Sequence, residues 1–85
     1  MPIVKLYANL RKLAGTKELS IKEATIEGVL NALVKMNPSL ENVIHGNGKV
    51  RKHVVVTLNG HNVIDFETQV SEQDVIAIFP PIAGG

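Results

Sequence analysis

Two glycines at the end of the sequence, Gly84 and Gly85, are the residues best suited to chemistry away from a folded core. Glycine has no Cβ, so this end can enter a narrow active-site tunnel and adopt whatever φ and ψ a partner imposes. The α-carboxylate of Gly85 is anionic at neutral pH and is a poor electrophile in that form. It must therefore be activated before it can transfer an acyl group.

The residues before the glycines predict an extended approach to this carboxylate. Pro80 and Pro81 fix φ and lower the entropy lost when a tail is threaded into a partner. The six residues from 80 to 85 reach at most about 20 Å. We therefore expect a folded domain over residues 1–79 and a flexible tail over 80–85, although a loose end without function is the alternative, since termini are commonly mobile.

Other reaction centres are not expected. The chain has no cysteine, hence no thiol nucleophile or thiolate metal site. The three histidines, His45, His53 and His61, lack the spacing and the acidic neighbours of a metal site, which predicts ordinary surface histidines. No Ser-His-Asp arrangement, P-loop or dinucleotide fingerprint is present. The chain is expected to bind no metal or cofactor itself and not to be an enzyme on its own.

Charge and hydropathy narrow the class of partner. Nine Lys and Arg against eight Asp and Glu leave a net charge of +1, which does not favour nucleic acid. The basic cluster Lys49, Arg51, Lys52 and His53 is interpreted as a solvated face, with an electrostatic contact as the alternative. With no apparent secretory signal or membrane-length apolar run, a cytoplasmic location without membrane contact is expected.

Apolar periodicity predicts five strands and one main helix. Alternation predicts strands over residues 3–8 and 17–22, with Gly15 closing a short helical segment between them. Thr25 is placed to cap a helix with a buried stripe at Ile26, Val29, Leu30, Leu33 and Val34, which Asn37-Pro38 ends. A short helical turn over 39–44 and a loop at 46–48 follow. A hairpin is predicted from strands over residues 53–58 and 61–64, joined by the Asn59-Gly60 turn. The apolar run 75–79 predicts a central strand.

This order of elements predicts an α+β fold of the β-grasp, or ubiquitin-like, type. A hairpin, one helix and returning strands suit a mixed sheet of four to five strands packed on that helix. The last strand would lie centrally beside the first, so that the tail leaves from the end of the sheet.

The end of the chain, FPPIAGG (residues 79–85), resembles the terminal signature of the ubiquitin-like sulfur carriers, which include the molybdopterin synthase small subunit and the thiamine sulfur carrier. The segment LYANLRKLAG (residues 6–15) is similar to the first strand and turn of the molybdopterin type. The middle of the chain is similar to the archaeal branch that includes small ubiquitin-like protein modifiers. In the turn before the last strand, where the family usually has an Asp-Gly-Asp type sequence, only Asp74 keeps the pattern.

The resemblance implies a function for the tail. An E1-like enzyme would use ATP and Mg to adenylate Gly85, and a sulfur donor would then displace AMP and leave a C-terminal thiocarboxylate. The expected acceptor is the large subunit of molybdopterin synthase or its equivalent. Thiamine, cysteine or tRNA thiolation are alternatives, as is conjugation of Gly85 to a lysine of another protein, and an inert binding module remains the third class.

Docking to these partners is assigned to residues around the start of the tail. Alternation places Tyr7, Val55, Thr57 and Phe79 on the sheet face opposite the helix, where exposed aromatic side chains can anchor an interface. A partly covered sheet face with scattered apolar residues is the alternative. The docking set comprises Tyr7, Arg11, Val55, Phe79, Pro80, Pro81, Ile82 and Ala83, and Arg11 could pair with a partner carboxylate or simply be solvated.

Overall fold

The computed structural model describes residues 1–46, 49–50 and 53–80. The elements are, in chain order, β1 (Ile3–Leu6), α1 (Asn9–Ala14), β2 (Glu18–Ser20), α2 (Ile26–Met36), a 3-10 turn (Pro38–Leu40), α3 (Glu41–Ile44), β3 (His45–Gly46), β4 (Lys49–Val50), β5 (Val55–Leu58), β6 (His61–Asn62) and β7 (Val75–Phe79).

The main sheet has five strands in the order β2-β1-β7-β5-β6, and β3 pairs with β4 in a separate two-stranded ladder. Strand β7 runs parallel to β1 and antiparallel to β5. The prediction that the last strand lies centrally beside the first is therefore confirmed. Its apolar composition on both faces agrees with a strand that has a neighbour on each side.

Helix α2 supplies the other layer of the fold. The Oγ1 atom of Thr25 accepts a 3.1 Å hydrogen bond from the Gly28 amide, which confirms the predicted cap. Two further amides at this end, those of Ile26 and Glu27, donate to the carbonyls of Thr68 and Phe66 in the loop before β7. This loop therefore satisfies helix amides that would otherwise have no partner.

The core lies between α2 and one face of the sheet. Strands contribute alternate residues and α2 contributes the predicted stripe, except that Val34 is only half-buried at its edge. The buried apolar residues form one cluster, which consists of Val4, Leu6, Leu10, Ile21, Ile26, Val29, Leu30, Leu33, Leu40, Ile44, Val54, Val56, Ile76 and Ile78. None of the described residues with a charged or polar side chain is buried in this core.

Several strands are shorter than the sequence predicted. Strand β1 ends at Leu6 rather than at residue 8, because Ala8 has a φ of 53° and starts the turn into α1. Strand β2 spans Glu18–Ser20, β5 begins at Val55 rather than residue 53, and β6 ends at Asn62 rather than residue 64. Gly46 lies in the short strand β3 rather than in a loop, and the rest of that predicted loop, residues 47–48, is outside the described residues.

A network of side chains closes the end of the sheet far from the tail. Asn59 and Gly60 have φ of 51° and 86°, the pair of positive values that the predicted two-residue turn requires. The Asn59 side chain donates to Asp74 Oδ1 at 3.0 Å and accepts from the Val75 amide at 2.9 Å. Asp74 Oδ2 accepts from the Ser71 amide at 2.7 Å, so Asp74 and Asn59 together tie the β5–β6 turn to the start of β7.

Candidate functional site

The sheet face opposite α2 contains the residues predicted to dock partners. In β7, Ile76 and Ile78 are buried in the core, whereas Val75, Ala77 and Phe79 point to the other face and are half-buried. Thr57 pairs with Ala77, and Val55 pairs with Phe79 at the end of β7. Period-two alternation therefore places Phe79 on the open face rather than against the helix.

Tyr7 and Phe79 form a stacked aromatic pair. Leu6 is in register with Ile78 on the parallel neighbour, so Tyr7, just after β1, lies beside Phe79, the last residue of β7. Their ring centroids are 4.4 Å apart and the ring planes differ by 15°. Both rings are half-buried, which leaves apolar surface accessible at the point where the tail begins.

Arg11, on helix α1, lies over the Tyr7 ring. Its guanidinium carbon lies 5.1 Å from the centroid of the Tyr7 ring, within the range of a cation–π contact. Its Nε donates a 2.8 Å hydrogen bond to the carbonyl of Leu6. The arginine is thus attached at the backbone and against the ring, while the residue as a whole stays exposed.

We call Tyr7, Arg11, Val55 and Phe79 the root cluster, because they surround the start of the tail. Val55 is 41 % exposed and lies beside Phe79 on the antiparallel neighbour. Pro80 follows directly and is half-buried. The four predicted docking residues that precede the tail are therefore brought together in one place, and their docking role remains a prediction.

The remaining predicted site residues lie outside the described residues. These are Pro81, Ile82, Ala83, Gly84 and Gly85. Strand β7 ends at Phe79, as the sequence predicted, so the last described residues lead from the root cluster toward the predicted tail.

The other polar candidates do not form a site with the root cluster. His45 is not an ordinary surface histidine, since its side chain is only 11 % exposed and its Nδ1 lies 3.1 Å from Glu41 Oε2. His53, His61 and Lys49 are exposed, and Arg51 and Lys52 are outside the described residues. Among the residues that the structure describes, no group of three or more His, Asp or Glu side chains could hold a metal ion. Within the same ranges, no helix has the length and apolarity to span a membrane.

Sequence reasoning missed two features of this region. The first is the contact between Arg11 and Tyr7, which depends on the positive φ of Ala8 in the turn between them and had no signal in the local sequence. The second is Ile64, which is 92 % exposed beside the edge strand β6. The sequence predicts a strand over residues 61–64, but β6 ends at Asn62, which leaves the Ile64 side chain in solvent.

The mixed five-stranded sheet on one long helix, with the last strand central and parallel to the first, defines a ubiquitin-like β-grasp protein. A likeness to solved structures supports this class. The solution structure of the small archaeal modifier protein 1 from Methanosarcina acetivorans is 34 % identical and superposes with a TM-score of 0.90, covering 99 % of this chain and 95 % of that one. The chain belongs to the ThiS family, whose model matches residues 4–85.

Proteins with similar sequences have two kinds of name. Small archaeal modifier protein 1 from Haloferax volcanii is 34 % identical, with 95 % of this chain and 97 % of the relative covered. The molybdopterin synthase sulfur carrier subunit from Arabidopsis thaliana is 38 % identical, with coverage of 96 % and 80 %. The family thus includes both sulfur carriers and protein modifiers, and this chain is similar to each.

Proposed function

We propose that this chain is a sulfur carrier whose reactive group is the Gly85 carboxylate. An E1-like partner would join this carboxylate to the α-phosphate of ATP, with release of pyrophosphate, in the presence of Mg. A donor of sulfide then attacks the acyl carbon, AMP leaves with the C–O bond electrons, and a thiocarboxylate remains. The observation that carries this proposal is the match to the ThiS family through residue 85, which includes the diglycine.

The root cluster supports the proposal that the folded domain binds the partner while the tail carries the reactive group. Its half-buried aromatic pair and the exposed Val55 provide apolar contact area next to the start of the tail. Aromatic and arginine side chains are common anchors of protein interfaces. In this proposal the partner covers the root cluster while Pro80, Pro81, Ile82, Ala83 and Gly84 carry Gly85 into the partner's active site.

Molybdopterin synthesis is the pathway that we propose first for the carried sulfur. A relative that is 38 % identical is itself named a sulfur carrier subunit of molybdopterin synthase. The acceptor would then be a larger synthase subunit, and this chain would be a co-substrate rather than a catalyst. Delivery to thiamine, cysteine or tRNA thiolation is compatible with the same chemistry.

Protein modification is a second candidate, favoured by the relatives named small archaeal modifier proteins. Activation of Gly85 is common to both functions. In modification a lysine amine, rather than sulfide, attacks the activated carbonyl, and an isopeptide bond forms as the leaving group departs. The two functions therefore differ in the nucleophile that accepts the acyl group.

Intact-mass spectrometry after incubation with cell extract of the same organism and ATP separates these functions. Exchange of one oxygen for sulfur on the free protein supports the carrier. Covalent adducts with other proteins that map to Gly85 support the modifier. An unchanged mass in an extract that loads a related carrier would contradict both.

Deletion of Gly85 is the first variant to test. We expect it to abolish adenylation and sulfur loading, because the acceptor carboxylate is moved one residue back. The thermal unfolding midpoint should not change, since the core is made by residues 4 to 78. The deletion variant must remain folded for the result to count, and a variant that is still loaded at the normal rate would contradict the mechanism.

A further inference from the structure

We propose that Arg11 is a preorganised receptor for a carboxylate side chain on the protein that docks at the root cluster. This inference rests on the proposed function, since it concerns the partner that receives the tail. It assigns a chemistry to that partner's surface: an Asp or Glu at the rim of the site that the tail enters.

The geometry that leads to this inference is the double attachment of Arg11. Its Nε is committed to the Leu6 carbonyl at 2.8 Å, and its guanidinium carbon lies 5.1 Å from the centroid of the Tyr7 ring. Tyr7 is itself held by stacking on Phe79. A long arginine side chain that would otherwise sample many rotamers is therefore restricted before any partner arrives, which reduces the entropy lost on binding.

The two terminal nitrogens of Arg11 remain available. Guanidinium has five N–H donors, of which one belongs to Nε. Within the described ranges 1–46, 49–50 and 53–80, neither Nη atom has a hydrogen-bond or ion-pair partner. Arg11 is exposed, so these donors face solvent at the edge of an apolar cluster. A planar pair of donors matches the two oxygens of a carboxylate, and such pairs are stronger than neutral hydrogen bonds.

A carboxylate of the partner protein fits this position better than the phosphate of an adenylate. The acyl phosphate forms on Gly85, whereas Arg11 lies at the other end of the tail, against Tyr7. Six extended residues span about 20 Å, far more than the reach of an arginine side chain. The anion that Arg11 meets while the tail is extended into the active site therefore belongs to the surface outside that site.

Arginine at this position would act on association rather than on the chemical step. An ion pair at the rim of an interface raises the association rate and is screened by salt. We therefore expect loss of the pair to raise KM for this chain without changing kcat, because the group is remote from the Gly85 carboxylate.

The test measures adenylation of this chain by the E1-like enzyme of the same organism, followed as ATP–pyrophosphate exchange. Arg11→Gln should raise KM about tenfold at low salt, the effect of losing one charge-assisted pair, and this difference should shrink as salt increases. Arg11→Glu should raise KM further, because it places two carboxylates together. Lys12→Gln, a charge loss at the adjacent exposed position on α1, is the matched control and should leave KM nearly unchanged.

Comparison of the two Arg11 variants separates a partner contact from a merely structural role. Both lose the Nε–H donor and the cation over Tyr7, so a merely structural role predicts a KM that follows the loss of thermal stability and does not depend on salt. Equal KM values for Arg11→Gln and Arg11→Glu, or a wild-type KM in either variant, would overturn the inference. The proposed function would still stand in that case, provided that the wild-type chain is adenylated and loaded with sulfur. Failure of the wild-type chain to be adenylated by an enzyme that activates a related carrier would overturn both.

Discussion

Phe79 is the residue at which the fold and the proposed docking meet. It is the last residue of the central strand, half-buried on the open face and stacked on Tyr7 at 4.4 Å. Its neighbour Ile78 is fully buried against the core. Two adjacent side chains of similar apolar character therefore face opposite sides of the sheet, and this contrast makes them a natural pair for testing the open face.

Phe79→Ala is expected to cost little stability and much affinity. The variant loses one stacked aromatic contact, worth about 1 kcal/mol of unfolding free energy, whereas loss of an interface anchor costs about 2 kcal/mol or more of binding. Ile78→Ala is the control and should cost about 2–5 kcal/mol of stability because it leaves a cavity. Thermal unfolding of the free protein and affinity for the activating enzyme should be measured on the same samples. A collapse of stability in Phe79→Ala with unchanged affinity of the folded fraction would refute the docking role.

Alternation along single strands was enough to predict which of these side chains face the core. The burial of Val4, Leu6, Ile76 and Ile78 follows from period two and from the apolar stripe of α2. The position of Arg11 over Tyr7 could not be predicted in this way. It depends on a turn in which Ala8 adopts a φ of 53°, a conformation that non-glycine residues seldom take and that local sequence does not announce.

At the scale of the elements, Asp74 holds together the turn before β7. Its carboxylate accepts from the Ser71 amide and from the Asn59 side chain. Asn59 in turn accepts from the Val75 amide. The hydrogen bond from Ser71, followed by that from Asn59, lowers the pKa of Asp74 from its ordinary value of 3.8. The Asn-Gly turn was predictable from its dipeptide, but its connection to residue 74 was not, because the two are 15 residues apart.

Asp74 should make stability depend on pH in a defined direction. Its pKa is lower in the folded protein than in the unfolded chain. The ionised carboxylate therefore stabilises the fold at pH values above the pKa of the unfolded chain. This stabilisation is lost as pH falls through the pKa of the folded protein. Asp74→Asn should therefore lower the melting temperature at pH 7, and its difference from wild type should shrink below about pH 4. Glu72→Gln, in the same turn, is the control. A difference between wild type and Asp74→Asn that stays constant down to acid pH would exclude this role.

The free edge of the sheet at β2 bears on how partners can bind. Thr16 Oγ1 donates to the Glu18 carbonyl at 2.9 Å and accepts from the Glu18 amide at 3.3 Å. These backbone groups are therefore occupied, and at the other edge β6 has only two residues. Occupied or short edges resist strand addition. Addition of a partner strand at these edges is therefore disfavoured, which agrees with the proposed docking on the open face.

At the scale of the whole molecule, the proposed docking surface and the proposed reactive end of the chain are separate. The core lies between α2 and one face of the sheet, the root cluster lies on the other face, and the residues leading to Gly85 begin at the end of the central strand. Element order was enough to predict the central position of β7, because a β-grasp order places the last strand beside the first. The small ladder formed by β3 and β4 was not predictable, since four residues with glycine and charge carry no strand signal.

This separation predicts that the length of the tail is as important as its composition. If the root cluster is docked outside the partner, one extra glycine between Ala83 and Gly84 displaces the Gly85 carboxylate by up to about 3.3 Å. Misplacement by 1 Å can cost about a hundredfold in rate. The insertion should therefore reduce kcat for adenylation strongly.

Binding of the insertion variant to the activating enzyme should stay close to that of wild type, because the root cluster is unchanged. Its melting temperature should also be unchanged, since the insertion lies outside the core. The matched control is Ala83→Gly, which adds the same flexibility without adding length and should retain most of the rate. Adenylation of the insertion variant at the wild-type rate would show that docking of the body does not fix the position of Gly85, whereas a parallel loss of affinity and rate would place the recognised surface in the tail itself.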